Sequence, residues 1–213
     1  MVDRAVTGDT AARKAALRKH VLACRDALTP EFRASASRAI LTRICGIPAY
    51  EQAITVLGYF GFGTEIDTRP FLAHALSAGK ILLLPRVDRA ARSLRLYRVR
   101  DLDSDLVSGI WGIREPARDR CDETDPQTVD FVLMPGVAFT NEGERLGYGG
   151  GFYDRLIPQM TRPPVKIAPA FGCQVVDSLP MTETDQRIDQ VVSESPADDT
   201  AAARQLPVPP GTC

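Results

Sequence analysis

Apolar residues recur at helical spacing early in the chain and gather into short runs later. Between Ala11 and Leu28, Leu17, Val21 and Leu22, continued by Cys24 or Arg25, fall at i, i+4 spacing and predict a helix. Residues 1–10 are polar and expected to be frayed. Thr29-Pro30-Glu31 predicts a second helix start, with Thr29 as N-cap, Pro30 in the first turn and an acid beside it. Phe32, Ala36, Ala39, Ile40 and Ile44 continue its apolar face, and Gly46 and Pro48 end it. The run from Ala53 to Phe60 then reads as a buried strand, broken by Gly61 and Gly63. Asp67-Thr68 with Pro70 opens a helix carrying Phe71, Leu72, Ala75 and Leu76, closed by Gly79. Lys80 to Pro85 reads as a second buried strand. Two buried strands joined by a helix predict a parallel βαβ crossover.

Further along, Leu94 to Val99 alternates apolar and basic residues, as a half-exposed strand does. Gly109 to Glu115 reads as a turn. Val129 to Met134 is another buried strand, stopped by Pro135-Gly136. A short helix is expected from Gly151 to Gln159, and a strand from Val165 to Phe171 that Pro169 weakens or places at an edge. Past Gln190 the chain turns to Ala, Asp, Ser and Pro, and Ser195 to Cys213 reads as a disordered tail. The order predicts a three-layer α/β/α sandwich with a mainly parallel central sheet, one domain over 11–194 with flexible 1–10 and 195–213.

Composition narrows the function classes. With 213 residues and 44% apolar content, the chain is long enough for a sizeable core. A net charge of −1 gives no footing for a nucleic-acid partner or an anionic membrane surface. No apolar run is long enough to span a bilayer. Met1 to Lys14 has no apolar h-region, so a secretory leader is not expected, and Asp3 and Asp9 argue against an organelle address. The five cysteines are widely spaced, without a Cys-x-x-Cys pair, which fits neither a zinc site nor a disulfide framework and points to a reducing cytoplasm. His20 and His74 both fall in predicted helices, where surface or packing roles are usual.

Chemistry concentrates in Arg145-Leu146-Gly147-Tyr148-Gly149-Gly150-Gly151-Phe152-Tyr153-Asp154, between a buried strand and a helix start. Glycine lets backbone N–H groups converge on one point and lets a ligand approach closely. The helix start adds partial positive charge, and Arg145 a planar cation suited to phosphate oxygens. Asp154 supplies a hard oxygen of the kind Mg²⁺ takes beside nucleotide phosphates. No Walker A loop is present, since Gly79-Lys80 is followed by Ile81. Gly61-x-Gly63 lacks the third glycine of a dinucleotide loop, Ile66 standing there instead. These residues alone therefore leave a ligand-free glycine-rich β–α loop open.

Gly61-Phe62-Gly63-Thr64-Glu65 is a second candidate, at the carboxyl edge of the sheet. Glu65 either presents its carboxylate to a nitrogen-rich group or sits in the first turn of the next helix and favours its dipole. Lys14 and Arg18 form an i, i+4 basic pair that on its own reads as a solvated face.

Taken together, these pieces resemble one family. Met134-Pro135-Gly136-Val137-Ala138-Phe139, then Gly143, then Arg145 through Arg155, resembles the signature of 5-formyltetrahydrofolate cyclo-ligases, also called 5,10-methenyltetrahydrofolate synthetases. Lys14-x-x-x-Arg18 with Arg25 and Leu28-Thr29, Glu65-Ile66-Asp67-Thr68, Gly79-Lys80 through Leu84-Pro85, and Trp111-Gly112-Ile113-Arg114-Glu115-Pro116 resemble further family segments. So does Leu179-Pro180 with Asp185 and Ile188-Asp189.

The resemblance implies a fold similar to sugar-phosphate isomerases and CoA transferases. It also implies ATP-dependent closure of 5-formyltetrahydrofolate to 5,10-methenyltetrahydrofolate, with Mg²⁺ as cofactor and ADP and phosphate released. Carried over, Lys14 and Arg18 would reach the ATP phosphates, and Arg145, Leu146, Gly147, Tyr148, Gly149, Gly150, Gly151, Phe152 and Tyr153 would form the ATP loop. Phe60 and Glu65, with Tyr148, Phe152 and Tyr153, would hold the folate. Arg145 and Tyr153 would act in catalysis, and Asp154 and Asp189 would bind the metal. ATP and the folate are the expected partners, and a monomer is expected. A different enzyme on the same scaffold, and a non-catalytic folate or nucleotide binder, are the competing readings.

Overall fold

The computed structural model describes residues 3–109 and 112–195. Trp111 and nearly all of the expected tail therefore lie outside the described residues. The chain opens with α1 (Asp3–Asp26), eight residues ahead of its apolar pattern. Nothing in the sequence between Asp3 and Ala11 breaks a helix except Gly8. α2 (Pro30–Cys45) starts as its sequence dictates: the Thr29 hydroxyl accepts a hydrogen bond from Phe32 N at 3.2 Å, and Pro30 sits in the first turn. A five-residue helix, α3 (Pro48–Gln52), follows where the sequence showed only a stop.

Next come β1 (Thr55–Leu57), α4 (Arg69–Ser77), β2 (Ile81–Asp88) and β3 (Ser93–Val99). β4 (Leu106–Ser108) and β5 (Arg114–Pro116) make a small antiparallel ribbon. After β6 (Asp122–Thr124) and β7 (Phe131–Leu133), β8 (Ala138–Phe139) and β9 (Arg145–Leu146) pair as a second ribbon. α5 (Phe152–Leu156) runs on through a 3-10 turn, and β10 (Val165–Pro169) and β11 (Gln190–Val192) complete the set.

The seven-stranded sheet has the order β11-β10-β7-β1-β2-β3-β6. Its first five strands are parallel, and β3 and β6 add antiparallel at one end. β1 and β2 form the expected crossover, with Val56 opposite Leu82. Alternate residues of the sheet feed two cores. Val56, Leu82, Phe131 and Ile167 pack under Ile40 and Ile44 of α2 and Phe71 and Leu72 of α4. Leu57, Leu83, Val132 and Ala168 pack under Leu156, Ile157 and Met160 of the α5 segment. Helices thus cover both faces, thinly on the second. α1 lies over the β8–β9 ribbon, where Val21 meets Val137, Ala138 and Leu146.

One further expectation changes. β10 is not an edge strand, since it lies between β7 and β11. Val165 N turns to the β7 side, donating to Asp130 O at 2.9 Å, and Pro169 faces the same way four residues on. The last pair with β7 is Ile167–Leu133, so the N–H that proline lacks would meet no strand there. The edge belongs instead to β11, three residues long and therefore without a readable period.

Candidate active site

β1 hands the chain to β2 on one side, whereas β7 stands on the other side of β1 and hands it to β10. The carboxyl ends of β1 and β7 therefore flank a topological switch point, where open α/β sheets leave a crevice. A cavity of about 410 Å³ lies there. Tyr59, Phe60, Phe62 and Glu65 of the loop after β1 form one wall. Pro135, Arg145, Gly147, Tyr148 and the stretch Gly150 to Asp154, which follow β7, form the facing wall. Leu84, Pro85 and Val87 of β2, Leu94 of β3 and Ile113, Arg114 and Glu115 at β5 close the side.

The glycine-rich wall is held from behind by arginines. Arg18 Nε donates to Gly147 O at 2.7 Å, and Arg155 Nη2 donates to Gly150 O at 2.9 Å. Arg145 is only 4% exposed, and its Nη1 donates to Pro135 O at 3.1 Å. Its Nη2 pairs with Asp154 Oδ1, and its Nε has no hydrogen-bond partner. A side chain at Gly147 would stand 2.9 Å from the Arg145 guanidinium, so glycine there keeps the buried cation close to the cavity wall. Gly151 (φ 63°) turns the chain into α5 through a left-handed conformation that favours glycine. α5 has only five residues, so its dipole adds little, and the wall's positive character rests on the arginines.

Tyr153 brings a buried hydroxyl with no hydrogen-bond partner to the cavity. Burial pushes its phenol well up; the Arg145 charge opposes this and the Glu65 carboxylate adds to it. An orphaned buried hydroxyl on a cavity wall is a group placed for a ligand.

On the facing wall the structure settles Glu65. Helix α4 begins at Arg69, with Thr68 before it, so Glu65 is not in its first turn. Its Oε2 accepts from Phe62 N at 3.1 Å, and its Oε1 accepts from the Tyr148 hydroxyl. Burial pushes its carboxyl up, opposed by those two donors and by the charge of Arg25. Gly61 is required here, because a Cβ would meet Ile66 O at 2.2 Å in the tight turn that presents Glu65.

Not every expected residue reaches the cavity. Lys14 forms an ion pair with Asp185, and Arg18 supports the loop through a carbonyl; neither lines the cavity. Burial works against ionised Asp185, but the donors Lys14 and Thr182 outweigh it and hold the carboxyl below its usual range. Leu146 is 2% exposed and packs toward α1, and Gly149 sits against Arg18. Asp189 accepts from Lys166 N at 2.7 Å and pairs with Lys166 Nζ at 3.2 Å, tying β10 to the approach of β11 away from the cavity. The structure therefore does not bring Asp189 together with Asp154.

For a metal, no cluster of three or more His, Cys, Asp or Glu side chains occurs among the described residues. Asp154 alone fits, because both its hydrogen bonds, from Arg145 and from Gln186 N at 3.1 Å, fall on Oδ1. One free carboxylate oxygen beside nucleotide phosphates is an ordinary Mg²⁺ environment. Cavity residues beyond the expected set include Tyr59, Phe62, Arg114 and Glu115. Arg25 stands behind it, 5% exposed, with its Nη1 on Tyr148 Oη at 2.7 Å. Tyr59 and Phe62 adjoin residues already singled out, and the other three lie in the segments quoted above. What the sequence does not show is which of them face inward.

Comparison with known proteins agrees with this geometry. Residues 10–194 match the model of the 5-formyltetrahydrofolate cyclo-ligase family. The 5-formyltetrahydrofolate cyclo-ligase of Escherichia coli K12 is 34% identical over 175 residues, covering 80% of this chain and 94% of that one. The NMR structure of Aquifex aeolicus 5,10-methenyltetrahydrofolate synthetase superposes with a TM-score of 0.75 at 35% identity, covering 85% of this chain and 89% of that one. A Mycoplasma pneumoniae 5,10-methenyltetrahydrofolate synthetase shares the fold with a TM-score of 0.69 at 22% identity, over 85% of this chain and 99% of that one. With a family match that spans the sheet, both walls of the cavity and the arginines behind them, this chain belongs to the 5-formyltetrahydrofolate cyclo-ligase family.

Proposed function

We propose that the chain closes 5-formyltetrahydrofolate to 5,10-methenyltetrahydrofolate at the expense of ATP. The observation that carries this reading is the opposition, across one cavity, of the glycine loop with its buried arginine and the carboxylate of Glu65. One wall suits a polyphosphate and the other a ring rich in N–H donors.

In the proposed sequence the formyl oxygen attacks the γ-phosphorus, and the bond from that phosphorus to the bridging oxygen of ADP breaks. N10 then attacks the formyl carbon and gives up its proton. The carbon–oxygen bond breaks with phosphate as leaving group, and the five-membered ring is closed. A formyl oxygen leaves poorly until it is phosphorylated. Phosphoryl transfer asks mainly for alignment and charge neutralisation. The amides of Gly147 to Gly151 would hold the phosphates, and the Arg145 guanidinium behind Gly147 would balance developing charge. Glu65 would accept from pterin nitrogens, and the orphaned Tyr153 hydroxyl would donate where nucleotide and folate meet. Asp154 would hold Mg²⁺, which supplies neutralisation of the phosphate charge when bound. Lys14 and Arg18 act in this scheme by supporting the loop and its flank, and Asp189 by tying strands. A cytoplasmic, monomeric enzyme completes the reading, the cysteine spacing supporting the compartment.

An isotope experiment tests the phosphorylated intermediate. With ¹⁸O in the formyl group, the released phosphate should carry the label. Unlabelled phosphate accompanying methenyl product would rule the intermediate out.

A further inference from the structure

Arg25 is the residue the scheme above leaves without a task. It sits in the last turn of α1, 5% exposed, and is not part of the cavity wall. Its Nε donates to Thr64 Oγ1 at 3.0 Å, and its Nη1 to Tyr148 Oη at 2.7 Å. The Thr64 hydroxyl in turn donates to Asp26 Oδ1 at 2.5 Å, so the guanidinium is anchored on its own helix side. Tyr148 lines the glycine-rich wall, and Thr64 lies in the loop that carries Phe62 and Glu65 of the facing wall, so one side chain of α1 ties the segments behind both.

The direction of the hydrogen bonds follows from chemistry. A guanidinium has donors and no acceptor. Tyr148 Oη must therefore accept from Arg25, and its single proton is left to point at Glu65 Oε1. The chain Arg25 to Tyr148 to Glu65 has a charge at each end, which strengthens both bonds. Glu65 Oε2 is oriented by Phe62 N, and the remaining lone pairs are free for a ligand. The other titratable groups facing Glu65 are Tyr59, from the end of β1, and Tyr153, from α5, both neutral phenols. Arg25 is the group in this set whose charge favours the carboxylate.

We propose that Arg25 is a positioning residue for folate recognition: through Tyr148 it directs one phenolic proton onto Glu65, fixes that carboxylate as the acceptor for the pterin, and ties the nucleotide wall to the folate wall. The proposal rests on the reading of this cavity as the folate site.

Steady-state kinetics with Mg-ATP and 5-formyltetrahydrofolate test it, on wild type, Arg25→Gln, Arg25→Lys, Tyr148→Phe and the Arg25→Gln/Tyr148→Phe double variant. Tyr148 is 41% exposed, so its phenylalanine variant loses the link without opening the core. KM for the folate should rise about tenfold in Arg25→Gln and in Tyr148→Phe, with kcat and KM for ATP within about twofold of wild type. The double variant should be no worse than the worse single one, because both cut the same chain. Arg25→Lys should recover part of the loss. The acid limb of kcat/KM for the folate should move to higher pH in both single variants, since Glu65 loses the Tyr148 donor in one and the Arg25 charge in the other. An unchanged folate KM in Tyr148→Phe would overturn the proposal. So would additive losses that raise both KM values and lower kcat together, as a purely structural role would. An inactive wild type would overturn the folate reading and the proposal with it, whereas an active wild type with unaffected variants overturns the proposal alone.

Discussion

At the scale of single residues, the site sets two carboxylates in opposite circumstances. Asp154 faces a buried cation, and Glu65 faces phenols, an amide and a more distant arginine. Breaking the first pair strands the Arg145 charge, whose side chain is 3% exposed. Asp154→Asn should therefore cost about 3 kcal/mol of stability in denaturant titrations. It should also lower kcat about 100-fold and raise the Mg²⁺ concentration needed for half-activation. An unchanged unfolding midpoint would show that the pair carries no weight. Glu65 behaves in the reverse sense. Its folded-state pKa lies above the unfolded one because of burial, so the fold disfavours its ionised form. The contribution of the protonated form is present at low pH and is lost as pH rises through the raised value. Glu65→Gln should thus raise the melting temperature near neutral pH, with the gain vanishing below about pH 4. Folate turnover should collapse in the same variant. A variant less stable than wild type at neutral pH would contradict this account.

At the scale of elements, legibility followed length and local chemistry. The cap of α2 was readable because Thr29-Pro30 acts within one turn. The β1–α4–β2 crossover was readable because each run is continuous and buried. β4, β6 and β11 were not, because three residues show no period and their pairing depends on partners distant in sequence. The glycine-rich wall was legible as composition, but the turning inward of Tyr148 and Tyr153 and the outward packing of Leu146 depend on the β8–β9 ribbon. Asp189 illustrates the limit: its carboxylate is recognisable as a hard ligand, while its capture by Lys166 follows only from the adjacency of β10 and β11. Elements also differ in how they use glycine. Gly143 (φ 84°) turns the β8–β9 ribbon, and a Cβ there would meet Ile188 O at 2.4 Å. Gly79 (φ 72°) ends α4 with open space around it. Thermal unfolding should show Gly79→Ala losing about 1 kcal/mol from backbone strain alone. Gly143→Ala should lose more than about 3 kcal/mol, because backbone must move. Equal losses would mean that the ribbon and the 186–189 segment are not held against each other.

At the scale of the whole molecule, strand order places the chemistry. The parallel strands β1 and β7 leave a crevice at their carboxyl ends, and α1 crosses behind it to brace both walls through Arg18 and Arg25. Neither helix layer nor sheet alone would bring Glu65 to face the glycine loop. No helix among the described residues is long and apolar enough to cross a membrane. The central claim, that this crevice couples ATP to ring closure of a formylated folate, has one most direct test. The full chain is mixed with ATP and 5-formyltetrahydrofolate, with and without Mg²⁺, while methenyl absorbance and ADP are followed together. The account predicts an absorbance rise that needs the folate, ATP and Mg²⁺, with one ADP formed per methenyl group. ADP formation without the folate, or no methenyl product with all three present, would contradict it.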